Sequence, residues 1–272
     1  MKTMLFAALL FASALIGQEA AAQQAPFNQT GVTMGHWHLI SKDVEANKKL
    51  FLAMGAKLYM PGGQPLIAFP GLYINLNLGM EQGEGGTVGT VVNHVGFVVD
   101  DVQKRTAEWK AKGVPVLPGT NGRKDQAFVV TPDGVRIEIL EDKTQTVPIR
   151  NDHVHFFLPA AEIPKAVAWY VKTFGGKEGT RNGAPVVDIP GVQLRFNKAD
   201  AAQAATRHHI LDHIGFDVRD HAAFVSKITA EGVKLDEPAR TVPNGSKITY
   251  ITDPWGTRIE IIQRAPLGPA VQ

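Results

Sequence analysis

The sequence predicts an α+β fold in which one supersecondary unit is repeated four times, and three periodic features carry that prediction. His36, His94, His153 and His213 recur with gaps of 58, 59 and 60 residues. Each opens an apolar run: His36-Trp-His-Leu-Ile, His94-Val-Gly-Phe-Val, His153-Val-His-Phe-Phe and His213-Ile-Gly-Phe-Asp. Each repeat then ends on a glycine turn and a strand, at Pro70-Gly71, Pro132-Asp-Gly134, Pro190-Gly191 and Pro254-Trp-Gly256. Four residues beyond those glycines stand Asn75, Glu138, Arg195 and Glu260. Between these anchors lie four amphipathic stretches, 44–54, 102–112, 163–174 and 222–231, each stopped by a glycine.

The chain opens with Lys2, a 13-residue, largely apolar run from Met4 to Ile16, and Ala20-Ala21-Ala22 before Gln23. A positive start, a core too short to span a bilayer comfortably and small closing residues are the layout of a secretory signal peptide. Residues 1–22 are therefore expected to be removed. That places the mature protein in the periplasm or outside the cell, with no stable membrane anchor. The absence of cysteine excludes a lipoprotein anchor and a disulfide framework. The formal charge of +2 is scattered in both signs, so nothing points to nucleic acid. The expected partner is a small-molecule substrate, with the protein a monomer or homodimer.

After a flexible leader over 23–33, the units are read as 34–80, 91–142, 152–200 and 211–264, with a tail over 265–272. Each places a His-bearing strand first, then a helix closed by glycine at Gly55, Gly113, Gly175 or Gly232, with Pro164 tolerable in the first turn of its helix. Short strands in turn-rich sequence follow, ending on the glycine-turn strand. Alternation puts His94 and Gly96 on one strand face and Val95, Phe97 and Val99 on the other. The polar, Thr- and Pro-containing stretch 143–151 reads as a linker. It favours pairing of neighbouring units into domains 34–142 and 152–264. Crossed pairing, which would join His36, Asn75, His213 and Glu260, stays open.

Two neutral imidazoles and one carboxylate on adjacent strands make a facial set for Fe(II), Mn(II) or Zn(II), leaving coordination positions for water and substrate. His38 and His155 share the strand faces of His36 and His153, where they are expected to back the ligands or touch substrate, and His38 is also an alternative ligand. His208, His209 and His221 fall outside the register and read as solvated.

The phrases Asn93-His94-Val-Gly-Phe and Asp212-His213-Ile-Gly-Phe, with the endings Thr131-Pro-Asp-Gly-Val-Arg-Ile-Glu138 and Thr252-Asp-Pro-Trp-Gly-Thr-Arg-Ile-Glu260, resemble the vicinal oxygen chelate superfamily. That group holds glyoxalase I, fosfomycin-resistance proteins and extradiol dioxygenases. The resemblance covers residues 34–264. It implies βαβββ units paired into two cupped-sheet domains, and a divalent metal held by His36, His94 and Glu138 and by His153, His213 and Glu260. Glyoxalase I carries a further carboxylate where Asn75 and Arg195 stand. Arg195 is therefore expected to weaken metal binding at its cup and to pair with Glu260. Tyr250, ten residues before Glu260, matches part of the extradiol signature. Tyr250, Asn75 and Arg195 are the catalytic candidates. The implied function is an exported metal-dependent enzyme acting through vicinal oxygens of a small substrate, leaning to a dioxygenase-like oxidoreductase. The alternatives are a glyoxalase-like lyase or isomerase, and a non-catalytic drug-binding protein.

Overall fold

The computed structural model describes residues 24–77 and 83–271, and the expected signal segment 1–22 lies outside the described residues. The four units are present as read. Unit one is β1 (Val32–Ile40), α1 (Val44–Ala53), β2 (Lys57–Tyr59), β3 (Leu66–Phe69) and β4 (Leu72–Asn77). Unit two is β5 (Val92–Val99), α2 (Val102–Ala111), β6 (Val116–Pro118), β7 (Gln126–Val130) and β8 (Arg136–Glu141). Unit three is β9 (Ile149–Pro159), α3 (Ile163–Phe174), β10 (Lys177–Arg181), β11 (Ala184–Ile189) and β12 (Val192–Ala199). Unit four is β13 (Leu211–Val218), α4 (His221–Ala230), β14 (Glu237–Thr241), β15 (Lys247–Thr252) and β16 (Arg258–Gln263).

Three helices start on an aspartate whose carboxylate accepts a backbone N–H of the first turn: Asp43 from Ala46, Asp101 from Lys104 and Asp220 from Ala223. Such a cap is worth about 1 kcal/mol over alanine. The glycine stops all lie at positive φ, from 66° at Gly175 to 105° at Gly55, a conformation that any side chain would strain.

Two eight-stranded sheets result, β14-β15-β16-β13-β1-β4-β3-β2 and β10-β11-β12-β9-β5-β8-β7-β6. Unit one thus joins unit four, and unit two joins unit three. Sequential pairing into 34–142 and 152–264 is not what the sheets show. The reason lies in the supposed linker, whose last residues are strand. Ile149, Arg150 and Asn151 begin β9 and pair with Val99, Val98 and Phe97 of β5. Only residues 142–148 connect β8 to β9, enough to pass over one intervening strand at roughly 4.8 Å spacing. Strand chemistry could not have discriminated, because either pairing sets a His-x-His strand against a His-x-Gly strand. The leader and tail are also docked rather than free. Asn28 Nδ2 and Thr30 Oγ1 donate to the Phe174 carbonyl at the end of α3, and Val271 N donates to Leu58 O.

Strand alternation separates two environments. The histidine faces of the central strands line the sheet concavities, and the opposite faces merge into one apolar core with the helices. There Trp37 of β1 meets Phe97 of β5 at 5.1 Å, and Phe174 of α3 meets Phe216 of β13 at 4.4 Å. Each such fully buried side chain contributes roughly 1.5–3 kcal/mol. The two sheets therefore share a core and hold each other's shape.

Candidate metal centres

Crossed pairing builds two cups of matching design. Cup one takes His36 and His38 from β1, His213 from β13 and Glu260 from β16; cup two takes His153 and His155 from β9, His94 from β5 and Glu138 from β8. In each set one ligand atom per residue lies within 4.8 Å of all the others. The antiparallel registers set His38 opposite His213 and His155 opposite His94. The same registers set His36 opposite Gly215 and His153 opposite Gly96. A Cβ on either glycine would lie 2.0 Å from the facing imidazole carbon. The glycine of each His-x-Gly-Phe phrase is thus the seat of a histidine ring from the neighbouring strand.

In cup two the outer nitrogens of His94 and His153 are tied down by acceptors on the preceding residue. His94 Nδ1 contacts Asn93 Oδ1 at 2.9 Å, and His153 Nδ1 contacts Asp152 Oδ2 at 2.8 Å. A carboxylate only accepts, so the Nδ1 atom of His153 carries the proton and its Nε2 is a lone pair. The same holds for His94 against the amide oxygen. Both Nε2 atoms then converge on Glu138 Oε2, at 3.3 and 3.1 Å. Three acceptor atoms facing one another is a repulsive arrangement that a cation relieves. His155 brings a fourth ring nitrogen to the cup, its Nδ1 lying 2.9 Å from His94 Nε2. The residues of cup two therefore fit a divalent ion, with the outer hydrogen bonds of metal-ligating histidines already in place.

Cup one differs at one corner. His213 Nδ1 is held by Asp212 Oδ1 at 2.6 Å, as in cup two. His36 is preceded by Gly35, and its Nδ1 faces the guanidinium of Arg264 at 3.3 Å. Nε2 of both His36 and His213 lies 3.0 Å from Glu260 Oε2. His38 stacks on His213 at a centroid distance of 4.4 Å, and its buried Nδ1 has no hydrogen-bond partner among the described residues.

Burial opposes charge throughout both cups, and the neighbours decide the rest. Burial, reinforced by the neighbouring imidazoles, drives His38 well below the usual imidazole range and His155 down to about 3. Burial also lowers His36 and His94 despite their glutamates. Burial raises the carboxyls of Glu138 and Glu260, but the paired histidines outweigh it and hold both well below the carboxylate range. Burial lowers His213 too, but its bonds to Asp212 and Glu260 outweigh it and raise that imidazole. Cup two suits metal better, with His94 and His155 lowered beside an ionised Glu138.

The sequence-read site residues regroup accordingly. His94 and Glu138 keep company with His153 and His155, not His36. Glu260 and His213 join His36 and His38, not His153. Asn75 stands level with His38 on β4, and Arg195 stands level with His155 on β12, so they occupy matching positions of the two cups. Arg195 is not paired with Glu260. Its guanidinium donates to Asp152, the same carboxylate that holds His153. Tyr250 lines cup one, its ring 5.2 Å from His213, and burial raises its phenol above the usual range. Phe128 takes the corresponding place beside His94 in cup two, at 6.5 Å. His221, read as solvated, is buried at the start of α4.

Residues missed by sequence reasoning are Asp152, Asp212, Asn93 and Arg264. The first three each precede a register histidine, a signal present in the sequence. Also missed was a cavity of about 280 Å³ that reaches cup two, lined by Glu138 and His155 with Arg123, Arg181, Arg195 and Asn197. Arg123 is committed to Asp125 and Arg195 to Asp152, whereas no ion pair engages Arg181 among the described residues.

Comparison with known proteins bears on this architecture. Residues 152–261 match the model of the Glyoxalase/Bleomycin resistance protein/Dioxygenase superfamily. A "Probable lactoylglutathione lyase, chloroplastic" of Arabidopsis thaliana is 33% identical over 92 residues, 32% of this chain and 25% of that protein. The chain thus matches about a quarter of that relative's length. Among solved structures, glyoxalase I from Zea mays superposes with a TM-score of 0.62 at 19% identity, covering 85% of this chain and 92% of that one. A "putative dioxygenase" from Bacillus subtilis reaches 0.61 at 17% identity, covering 90% and 87%. These likenesses establish the fold. In sequence, the similarity to the Glyoxalase/Bleomycin resistance protein/Dioxygenase superfamily is carried by residues 152–261, less than half of the chain.

Proposed function

We propose that the protein is a divalent-metal-dependent enzyme acting on a small, anionic substrate through neighbouring oxygen atoms, with its metal in cup two. The observation that carries this reading is the convergence of His94 Nε2, His153 Nε2 and Glu138 Oε2 with their outer hydrogen bonds already made. A divalent ion held there by His94, His153, His155 and Glu138 would polarise substrate oxygens and, in a redox-active metal, support oxygen chemistry. The chain's own residues set the rest. Asp152 and Asn93 fix the ligand tautomers. Arg181, which lines the adjoining cavity and has no ion pair among the described residues, offers a fork that matches a carboxylate. Phe128 shields one side of His94 from water.

The reaction favoured is oxidoreductase chemistry of the dioxygenase kind. At the register where glyoxalase I carries a carboxylate that removes a carbon-bound proton, cup two holds Arg195, which cannot accept one. A glyoxalase-like lyase or isomerase is the second reading, supported by the likeness to the lactoylglutathione lyase. Both suit a secreted or periplasmic protein, the location that the N-terminal segment suggests. The test is metal identity with gas exchange. Iron or manganese with O₂ consumption on vicinal diols supports the first reading, and zinc or nickel with O₂-independent turnover supports the second. A protein with no metal and a tight organic ligand would overturn both in favour of a binding role.

A further inference from the structure

The four register histidines do not share one hydrogen-bonding pattern, and the exception is His36. His94, His153 and His213 each turn Nδ1 to an oxygen of the residue before them, Asn93, Asp152 and Asp212. Before His36 stands Gly35, which has no side chain to offer. Its place is constrained, because a Cβ there would lie 2.1 Å from Asp217 Oδ1. Asp217 in turn holds Arg264 by two hydrogen bonds of 3.0 Å, Nε to Oδ2 and Nη2 to Oδ1. The guanidinium so anchored sets Nη2 3.3 Å from His36 Nδ1.

A guanidinium only donates. His36 Nδ1 must therefore accept, and in a neutral imidazole the proton then sits on Nε2. That atom points at Glu260 Oε2, 3.0 Å away, and donates to it. A protonated Nε2 cannot ligate a metal, and Glu260 Oε2 is engaged by the same bond. Moving the proton to Nδ1 would set two donors against each other, with Arg264 unable to swing away from Asp217.

We infer that Arg264 locks cup one in a metal-free state, so that the chain holds one resident divalent ion, in cup two, although both cups present three imidazoles and a carboxylate. This rests on the proposed metal role of cup two. What cup one retains is a closed hydrogen-bond chain, Asp217–Arg264–His36–Glu260, beside Tyr250 and Asn75. Its role is to stabilise the junction of β1 and β13.

The experiment uses the full mature chain labelled with ¹⁵N in its histidines. Imidazole nitrogen shifts of the metal-free protein report which nitrogen carries the proton. His36 is expected to be protonated on Nε2, and His94 and His153 on Nδ1. Titration with Zn(II) should then reach one equivalent per chain and move only the His94, His153 and His155 signals. The double variant Arg264→Met with Asp217→Asn removes the donor and its anchor, and should take up a second equivalent. A parent His36 protonated on Nδ1 overturns the lock. So does a second equivalent in the parent, bound within tenfold of the first and lost in His213→Ala. If the parent binds no metal, the proposed function fails while the tautomer readout still decides the lock. If the double variant does not fold, the parent spectra and stoichiometry decide it alone.

Discussion

The two cups are built from corresponding strands in the same register; Arg258 stands behind His213 through Asp212 in cup one, and what separates the cups is how an arginine meets the first histidine of β9 and of β1. In cup two Arg195 donates to Asp152, which also accepts from His153 Nδ1. The positive charge is neutralised one bond away from the ligand, and the carboxylate between them enforces the metal-binding tautomer. In cup one Arg264 touches His36 directly, with its carboxylate Asp217 on the far side. The same pair of charges, in the opposite order, enforces the opposite tautomer. The comparison teaches that ligand type and spacing do not define a metal site. The atom behind each imidazole does, because it decides which nitrogen is free.

Removing a ligand from each cup should separate them most strongly. His94→Ala is expected to abolish stoichiometric metal, and with it any change in melting temperature on adding chelator. His213→Ala should keep both. At a free metal concentration of a hundred times Kd, the stabilisation lost in the first case is about 2.7 kcal/mol. Calorimetry with and without chelator checks this, and equal loss of metal in the two variants would break the comparison.

Filling the glycine seats sharpens it. Gly96→Ala and Gly215→Ala each force a methyl into an imidazole from the neighbouring strand. Both should destabilise, by roughly 1–3 kcal/mol as overpacked sites do. Only Gly96→Ala displaces His153, so only it should also lose metal. Denaturant melts paired with metal analysis separate the shared cost from the unshared one.

Smaller effects belong to the residues behind the ligands. Asp152→Asn, which removes the charge that holds His153 and Arg195, should weaken metal affinity by about 10- to 100-fold. Asp212→Asn should leave it unchanged, since His213 serves a cup without metal. Competition against a coloured chelator measures both. The smallest effect concerns the cavity. Oxalate, a small dianion with vicinal oxygens, should bind the Mn(II)-loaded protein about tenfold more weakly in Arg181→Ala, in line with a charged hydrogen bond of about 1.5 kcal/mol. Titration calorimetry reads it, and unchanged oxalate affinity would remove Arg181 from substrate recognition.

Much of this was legible in the chain. The repeat, the four helices and their glycine stops follow from spacing and capping chemistry alone. So does the presence of His36, His94, His153, His213, Glu138 and Glu260 on polar strand faces. What spacing could not reveal was which units share a sheet. Every unit offers compatible strands, and the choice falls to a connection, 142–148, whose end is strand rather than linker. That error put Arg195 in the cup of Glu260 and joined His36 to His94, whereas the crossed sheets set Arg195 beside Glu138 and His36 beside His213. The tautomer signal was half visible. Asn93, Asp152 and Asp212 precede their histidines in the sequence, and Gly35 stands out against them. Arg264, 228 residues from His36, becomes its neighbour only through the crossed pairing.

The central claim, that one cup holds metal and the other is locked against it, is tested most directly by anomalous diffraction from crystals of the mature protein equilibrated with Mn(II) or Zn(II). The account predicts a single anomalous peak per chain, bounded by His94, His153, His155 and Glu138, with none between His36, His213 and Glu260. A peak of comparable height in cup one, or one there with cup two empty, would contradict it.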